Sequence, residues 1–422
     1  MTGSTATAVP TGTRDRRPLR GWLLAESISL TGTRVSMVAI PWFVLTTTGS
    51  ATQTGLVAFA EMAPLVALKA LAGPLVDRVG ARRVAITADV GSFVAIGLVP
   101  LLHVAGMLSF PVLLGIVALA GALRGPGDGA KHAMIPALVE HAQVPTERVT
   151  GLASTVERTA SMAGAALAGV LVALVGPTAA LGLNAVTFLL SAAVLLATTG
   201  ALRGPARADA DHEDGAPEAP YLHRLREGWR FLRSDPLLLG LSLMVAVTNL
   251  LDQAFVAVLL PVWARETGGG AAAVGTLLAV FSGAAIAGAA LASVYATRLP
   301  RYTTYLVAFL ICGSPRFVVL ALESPLSVVL AMAVVSGFGA GFINPVLGAV
   351  IFERIPAHLV GRVSALNTAL CWSLIPFGGL VGGLLVGGFG MSGAMLACGA
   401  AYFAATMLPA LQPRWREMDR RA

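Results

Sequence analysis

Residues 73–83 of the chain read GPLVDRVGARR, a short polar and basic segment between two long apolar stretches. Gly73 and Gly80 allow the backbone to turn tightly, and the charged residues can form a cluster beside a helix end. Those charged residues are Asp77, Arg78, Arg82 and Arg83. An ordinary basic loop would explain the arginines, but it would not explain the glycines, Leu75 and Asp77 together. The segment therefore predicts a tight turn with a charge cluster between two helices.

The apolar stretches on either side of this segment reflect the composition of the whole chain. Of 422 residues, 56% are hydrophobic and 12% are charged, and the mean hydropathy is +0.78. Soluble domains carry about 25% charged residues. A bilayer-spanning helix needs roughly 20 apolar residues, so the chain is long enough for twelve. The composition excludes a water-soluble enzyme and predicts a polytopic membrane protein.

Twelve apolar segments can be marked along the chain, in two sets of six. The first set is 22–46, 54–76, 84–104, 112–134, 149–175 and 178–199; the second is 237–263, 274–295, 302–322, 327–352, 363–386 and 392–408. They predict an all-α membrane protein. Its parts are an amino tail (1–21), a six-helix bundle (22–200), a linker (201–235), a second six-helix bundle (236–409) and a carboxyl tail (410–422).

The positions of the basic residues predict the orientation of the chain. With both tails on one side of the membrane, 22 of the 29 lysines and arginines fall on that side and only Arg265 falls on the other. Because cytoplasmic loops collect Lys and Arg, both termini are expected in the cytoplasm and the chain in the cell membrane. The net charge of +7 is therefore a topology signal, and no nucleic-acid partner is expected.

The linker divides into two parts of different character. Residues 203–220 are rich in Pro, Ala and acidic residues, which predicts a flexible connection. Residues 221–234 place apolar side chains at helical spacing between arginines, which favours a short helix on the anionic inner leaflet over a plain basic loop. The apolar residues are Leu222, Leu225, Trp229 and Leu232; the arginines are Arg224, Arg226, Arg230 and Arg233.

The two halves of the chain also resemble each other. Residues 148–152 (RVTGL) match residues 362–366 (RVSAL), and weaker matches link the first and seventh apolar segments. Internal repeats of this kind are typical of secondary transporters built from two related halves.

The 73–83 segment resembles the loop between the second and third spans of the major facilitator superfamily, whose pattern is G-x-L-a-D-R-x-G-r-R. The resemblance in span count, loop lengths and repeat covers essentially the whole chain, and it implies twelve helices in two pseudo-symmetric six-helix bundles. It also implies a conformational latch made of Gly73, Asp77, Arg78, Gly80, Arg82 and Arg83. The chain departs from the pattern at Ala81, usually a basic residue, and in the degenerate second copy at 296–301, where Thr297 takes the Asp position.

Two local resemblances narrow the branch of the superfamily. Residues 124–136 (RGPGDGAKHAMIP) and 227–233 (EGWRFLR) look like the drug- and macrolide-efflux branch, which also resembles siderophore exporters. In the fifth span, Gly151, Gly164 and Gly169 follow the spacing of the superfamily's antiporter motif, although its Pro is replaced by an alanine. The alternative is that these small residues only allow close helix packing.

Ionisable residues inside the spans are the candidates for a transport site. Each costs roughly 2.5–3.5 kcal/mol on insertion scales, so such residues usually face a water-filled cavity or one another. The candidate ionisable residues are Glu26, Arg34, Glu61, Arg124, Asp128 and Asp252, and the polar Asn249 joins them; Lys69, Asp89, Glu157 and Arg158 also lie inside spans. A cavity role is favoured for the deep pair Arg34 and Asp252, with Asp252 carrying protons and Arg34 acting on its charge.

For other members of this set a structural role is the alternative. Arg124 and Asp128 could be a pair that holds the fourth span against the 73–83 segment. Glu26 lies close enough to the membrane surface to extend toward it, and Glu61 could pack between helices.

The sequence contains no pattern typical of disulfide bonds, metal binding, nucleotide binding or catalysis. The three cysteines lie in apolar stretches, the six histidines show no paired spacing, and no G-x4-G-K-[ST] loop is present. We expect no metal, no cofactor and no enzymatic activity, with a proton gradient as the driving force. The predicted function is export of a small amphiphilic compound, drug-like, macrolide-like or siderophore-like, by proton antiport with alternating access.

The partners expected are this compound and membrane lipid, and the chain is expected to act as a monomer. Uptake or lysolipid flipping within the same fold remains an alternative, as does a non-transporting membrane receptor. The sequence names neither the substrate nor the direction of transport.

Overall fold

The computed structural model describes residues 15–202, 221–295, 298–356 and 359–419, which are almost entirely helical and include no β-strand. Long apolar stretches become helices because only a helix or closed barrel satisfies its own backbone hydrogen bonds in a bilayer. The helices of the first half are α1 (Arg17–Thr48), α2 (Ala51–Leu71), α3 (Gly73–Val79), α4 (Ala81–Val104), α5 (Phe110–Ala133), α6 (Ile135–Ala142) and α7 (Thr146–Thr198).

The second half repeats this organisation. Its helices are α8 (Tyr221–Ser234), α9 (Pro236–Ala254), a π-helical turn (Phe255–Leu259), α10 (Leu260–Glu266), α11 (Gly270–Tyr295), α12 (Arg301–Cys312), α13 (Ser314–Ala321), α14 (Leu326–Arg354), α15 (Val360–Trp372) and α16 (Ile375–Met407).

The described helices supply the twelve expected membrane crossings. Ten continuous helical stretches are long and apolar enough to span a bilayer, and two of them run for 53 and 50 residues. Each long stretch breaks at a glycine with positive φ, Gly176 (+81°) and Gly390 (+70°), and so provides two spans. The prediction of a twelve-span, all-α membrane protein is confirmed.

Corresponding spans have the same neighbours in both halves. In the first half, α1 packs along α7, α2 along α5, and α4 against both α5 and α7. In the second half, α9 packs along α16, α11 along α14, and α12 and α13 pack against α14 and α16. This repeated neighbour pattern is that of two pseudo-symmetric six-helix bundles, as predicted.

The predicted linker helix is present as α8, and it packs on the second bundle. Leu232 is fully buried in a cluster with Leu238 and Val363, and Arg362 donates a hydrogen bond to Glu227 at 2.7 Å. Arg354 Nε donates to Asp235 at 2.6 Å just after α8, and this hydrogen bond raises the pKa of Arg354, which stays charged.

The carboxyl end differs from the simple tail expected at 410–422. Pro409–Leu411 and Pro413–Asp419 form 3-10 turns whose Trp415 and Met418 side chains are buried. The Tyr302 hydroxyl donates to the Ala410 carbonyl at 2.7 Å. These residues pack into the end of the second bundle because their apolar side chains are buried there.

The described residues do not include 1–14, 203–220 and 420–422, nor Ala296 and Thr297 of the second motif copy.

Candidate transport site

The two bundles meet closely at the end of the molecule opposite α3. There α2 crosses α16, and the Thr52 hydroxyl donates to the Gly383 carbonyl at 3.2 Å. A Cβ atom added at Gly383 would lie 2.7 Å from the Ala51 carbonyl oxygen, and one at Gly379 would lie 2.6 Å from the Ala58 Cβ. Only glycine permits these backbones to approach so closely, so the two helices seal this end.

A second seal joins α7 of the first bundle to α11 of the second. A Cβ atom at Gly169 would lie 2.6 Å from the Gly275 Cα, and one at Gly275 would lie 2.5 Å from the Gly169 Cα. Nearby, Arg265 donates to the Leu45 carbonyl at 3.1 Å and so ties α10 to the end of α1. The bundles are therefore held together at this end by both pairs of helices.

On the α3 side of these contacts α7 is separated from α11 and α14 by a cavity, whereas Lys69 of α2 still lies 4.6 Å from the centre of the Trp372 ring of α15. A cavity of about 370 Å³ lies between α7, α11 and α14, with Glu157 and Arg158 on one wall and Ser282 and Asn344 on the other. Glu157 is twelve residues before Gly169, which is about 18 Å along an α-helix. The bundles thus enclose a polar cavity that is open on the α3 side and sealed on the other.

Glu61 and Arg124 form an ion pair inside the first bundle. Arg124 on α5 donates to Glu61 on α2 at 2.8 Å, and both side chains are about one-tenth exposed. Glu61 also lines a small pocket shared with Met37 of α1 and Gln253 of α9. The alternative pairing of Arg124 with Asp128 is therefore corrected, because the acid that Arg124 binds is on another helix.

A buried polar cluster lies in the same bundle closer to α3. Lys131 Nζ donates to Asp89 at 3.1 Å and to Ser29 at 2.9 Å, and it lies 4.0 Å from Glu26. Ser191 donates to the other oxygen of Asp89 at 2.6 Å. Two carboxyl groups thus face one ammonium group in this cluster. Glu26 therefore faces Lys131 and does not extend to the membrane surface.

The second bundle holds an ion pair between Asp252 of α9 and Arg316 of α13. The Asp252 side chain is 41% exposed and the Arg316 side chain 13%. Three aromatic rings surround the guanidinium, those of Phe255, Phe317 and Tyr402, at 4.8–5.4 Å from the ring centroids. Cation–π attraction holds a desolvated arginine in such a cage. Asp252 is thus an accessible carboxylate, and its partner Arg316 is held in place by the aromatic rings.

The backbone beside Asp252 is also irregular. The π-helical turn Phe255–Leu259 begins three residues later and precedes Pro261, and single π-helical turns are frequent at functional sites. Arg316 also lines an apolar pocket of about 70 Å³ formed by the π-helical turn, α10, α11, α13 and α14. An amphiphile can therefore meet charged and apolar surfaces close together here.

Arg34 and Asn249, two further residues of the predicted set, have other neighbours. Arg34 donates to the Met37 sulfur at 3.3 Å and packs its Cβ against Gly164, while the charges of Glu157 and Asp128 act on it. The guanidinium at Asp252 is therefore that of Arg316 and not that of Arg34, which corrects the expected pairing. Asn249 donates to the Cys371 carbonyl at 2.9 Å and so joins α9 to α15.

The latch segment lies at the open end. Gly73 begins α3, which ends at Gly80 with φ +94°, and Asp77, Arg78 and Arg83 are exposed. Arg82 donates to the Thr199 hydroxyl at 3.0 Å and to the Leu196 carbonyl at 3.1 Å. The segment is thus anchored to the end of α7 through one arginine.

The three glycines of the antiporter-like motif lie in different surroundings. Gly164 contacts Arg34 and Gly169 forms the α7–α11 seal, whereas a Cβ atom at Gly151 would meet nothing within 4 Å. Close packing therefore explains Gly164 and Gly169, but not Gly151.

Lys131 and Arg316 are central to these ion pairs, although neither was selected from the sequence. Both lie in or at the edge of apolar spans, and that position is itself a signal of a polar site. Their partners come from other helices, so spacing along the sequence gave no indication of the pairing.

This fold, with its central cavity, is the one found in solved transporters. A variant of the nucleoside transporter NupG superposes with a TM-score of 0.74 at 12% identity, over 94% of this chain and all of that one. An inward-facing, unoccupied bacterial homologue of the human lysosomal transporter Spinster gives 0.73 at 15% identity, over 97% of this chain and all of that one. Together with the match of a major facilitator family model to residues 18–422, this fold makes the chain a major facilitator transporter and not an enzyme.

The family follows from sequence similarity. The model of the transmembrane secretion effector family matches residues 18–422, and the chain belongs to that family. It is 30% identical over 400 residues to the multidrug efflux pump Tap of Mycobacterium bovis BCG and of Mycobacterium tuberculosis H37Rv, covering 94% of each chain. The Tap pump of Mycolicibacterium fortuitum is 28% identical over 412 residues, with 96% of this chain and 98% of the relative covered.

Proposed function

We propose that this protein exports small amphiphilic compounds, drug-like, macrolide-like or siderophore-like, from the cytoplasm by proton antiport. The observation that carries the proposal is the cavity between the bundles, open toward α3 and sealed at the other end by glycine contacts. The relatives named as multidrug efflux pumps support this class of substrate. With both termini in the cytoplasm of a cell-membrane protein, the open end faces the cytoplasm and is ready to load.

The linings of the cavities fit an amphiphilic substrate. Glu157 and Arg158 provide polar groups at the mouth of the open cavity. Deeper in the second bundle, Asp252 presents a carboxylate beside Phe255 and the apolar pocket that Arg316 lines. A compound with a polar group and an apolar body can contact both kinds of surface without leaving a buried charge unpaired.

Asp252 is the proposed proton carrier. It is the more exposed carboxylate of the two ion pairs, because its side chain is 41% exposed whereas that of Glu61 is 9% exposed. Arrival of substrate or rearrangement of Arg316 would change whether Asp252 holds a proton, and this links proton movement to transport. No cofactor is needed, since the proton gradient supplies the free energy.

The latch segment can favour one of two conformations, in which the α3 end is either open or closed. In the structure a cavity lies between α7 and α11 on the α3 side, and Asp77 is exposed. The proposed latch contact therefore belongs to the opposite state, in which the α3 end closes and the glycine contacts separate. A contact present in only one state biases the equilibrium between the two.

Two alternatives lead to different measurements. An uptake symporter of the same fold would accumulate its substrate in cells, and a lysolipid flippase would move lipid and protect against no drug. A non-transporting receptor would bind ligand without any flux.

The test is to compare the sensitivity of matched cells with and without the protein to a panel of amphiphilic compounds. Export predicts that expressing cells tolerate higher concentrations of some compounds, that a protonophore removes the tolerance, and that cells with Asp252→Asn lack it at equal protein level. Unchanged sensitivity across the panel, or greater sensitivity that follows uptake, would overturn the proposal.

A further inference from the structure

A groove of about 750 Å³ lies between the start of α1 and the last turns of α7, away from the cavity between the bundles. Its rim carries Arg16, Arg17 and Arg20, and its walls include Leu24 and Leu190. These residues lie where α1 begins, at the end of the molecule that carries α3. The groove therefore combines a basic rim with an apolar wall at the level where a span enters the membrane.

The three arginines of the rim are exposed. Within the described part of the chain, no carboxylate forms a salt bridge with any of them. Asp15, the acid at the rim, accepts a hydrogen bond from the backbone nitrogen of Arg17 at 2.8 Å and lies 3.9 Å from His141. Three cationic side chains thus stand beside one carboxylate that is already engaged. The rim has the charge to receive an anion.

The wall below the rim is shaped for an apolar chain. Leu24 and Leu190 are each about half exposed, and the small side chains of Ala193 and Ala197 leave space between them. Gly21 closes the floor, because a Cβ atom there would collide with the Thr198 side chain. Helices α1 and α7 therefore touch at the bottom of the groove and leave it open toward the lipid.

We propose that this groove is a binding site for an anionic phospholipid. The phosphate-bearing headgroup binds the three arginines, and an acyl chain lies along the apolar wall. Basic pockets between membrane helices on the cytoplasmic side are suited to anionic headgroups, with roughly a fivefold gain in affinity for each basic residue near the surface. A free phosphate ion shares the headgroup chemistry but would leave the apolar wall unused. The site is independent of the proposed export function.

The test uses purified full-length protein with phosphatidylglycerol and phosphatidylcholine at equal concentrations and with distinguishable chains, and the bound lipids are counted by native mass spectrometry. We expect wild type to retain phosphatidylglycerol preferentially. The triple variant Arg16→Gln, Arg17→Gln, Arg20→Gln should lose at least fivefold of that preference. A matched control, Arg148→Gln, Arg298→Gln, Arg414→Gln, removes three exposed arginines elsewhere on the molecule and should keep it.

A second variant separates a lipid from a free anion. Ala197→Trp fills the wall while keeping all three arginines, so it should also lower phosphatidylglycerol retention. Inorganic phosphate at millimolar concentration should displace little of the lipid from wild type. An unchanged lipid preference in the rim variant, or an equal loss in the control with three other arginines removed, would overturn the site. Full retention in Ala197→Trp with displacement by phosphate would show a phosphate site instead.

Discussion

At the scale of single residues, each bundle contains an ion pair whose two members come from different membrane-spanning helices. Glu61 and Arg124 join α2 to α5, and Asp252 and Arg316 join α9 to α13. A lone charge in such a place is expensive, whereas a paired one costs much less. The two pairs differ in access: the first is buried, and the second presents its carboxylate to open space. This difference predicts different consequences for the two acids.

Glu61→Ala should destabilise the protein strongly, because it leaves Arg124 buried without its partner. Removal of one member of a buried pair costs about 3–5 kcal/mol. Glu61→Gln should cost less, since the amide oxygen can still accept a hydrogen bond from Arg124. Thermal unfolding of the purified variants measures both. The exposed acid Glu140 gives the control, and Glu140→Ala should stay within about 0.5 kcal/mol of wild type. Equal thermal stability of Glu61→Ala and Glu140→Ala would disprove a structural role for the Glu61–Arg124 pair.

Asp252→Asn should abolish pH-driven accumulation of substrate while downhill exchange continues. The amide retains the shape of the acid and can still form hydrogen bonds, but it cannot take up and release a proton. Transport in proteoliposomes, with and without a pH gradient, measures the two activities. The double variant Asp252→Asn, Arg316→Gln removes the unpaired arginine and should restore any stability lost, but not the coupling. Glu140→Gln should behave as wild type. Gradient-driven accumulation by Asp252→Asn would exclude Asp252 as the proton carrier.

At the scale of helices, the close contacts of α2 with α16 and of α7 with α11 depend on glycine residues, which have no side chain. Gly275→Ala should hinder closure of the end opposite α3, because the new Cβ would lie 2.5 Å from the Gly169 Cα. The population should shift toward the state that is closed at α3. Distances between spin labels on exposed sites of α3 and α8 should shorten in the variant. The control Gly151→Ala lies on the same helix as Gly169 and meets nothing within 4 Å, so its distances should match wild type. Unchanged distances in Gly275→Ala would argue against these seals.

The helices also show what the sequence could predict. The spans follow from apolar length, and the 73–83 segment follows from its residue pattern, because both signals are local. The Asp252–Arg316 pair was not predicted, since α9 and α13 meet only in the folded bundle. Similarly, Trp415 and Met418 looked like parts of a tail because the site that buries them is built from distant residues. Local patterns thus specify the helices, while the pairing of charges requires the tertiary arrangement.

At the scale of the whole molecule, the distribution of basic residues predicts the orientation in the membrane. We expect Ser234→Cys, at the end of α8, to be shielded from an impermeant thiol reagent in intact cells. Thr48→Cys, at the opposite end of the bundle, should be labelled. The native cysteines Cys312, Cys371 and Cys398 are buried and give little background. Labelling of Ser234→Cys but not Thr48→Cys would reverse the orientation, and the open cavity would then face outward.

We propose that this single chain couples proton movement to uphill export by alternating access. The most direct measurement follows a compound against which the protein protects cells, in proteoliposomes with an acidic lumen. Protein molecules with their α3 end outside should concentrate the compound in the lumen above its external level while the lumen becomes more alkaline. A protonophore should collapse both changes. Equal concentrations of the compound on the two sides regardless of the pH gradient, with no proton movement on its addition, would contradict this account.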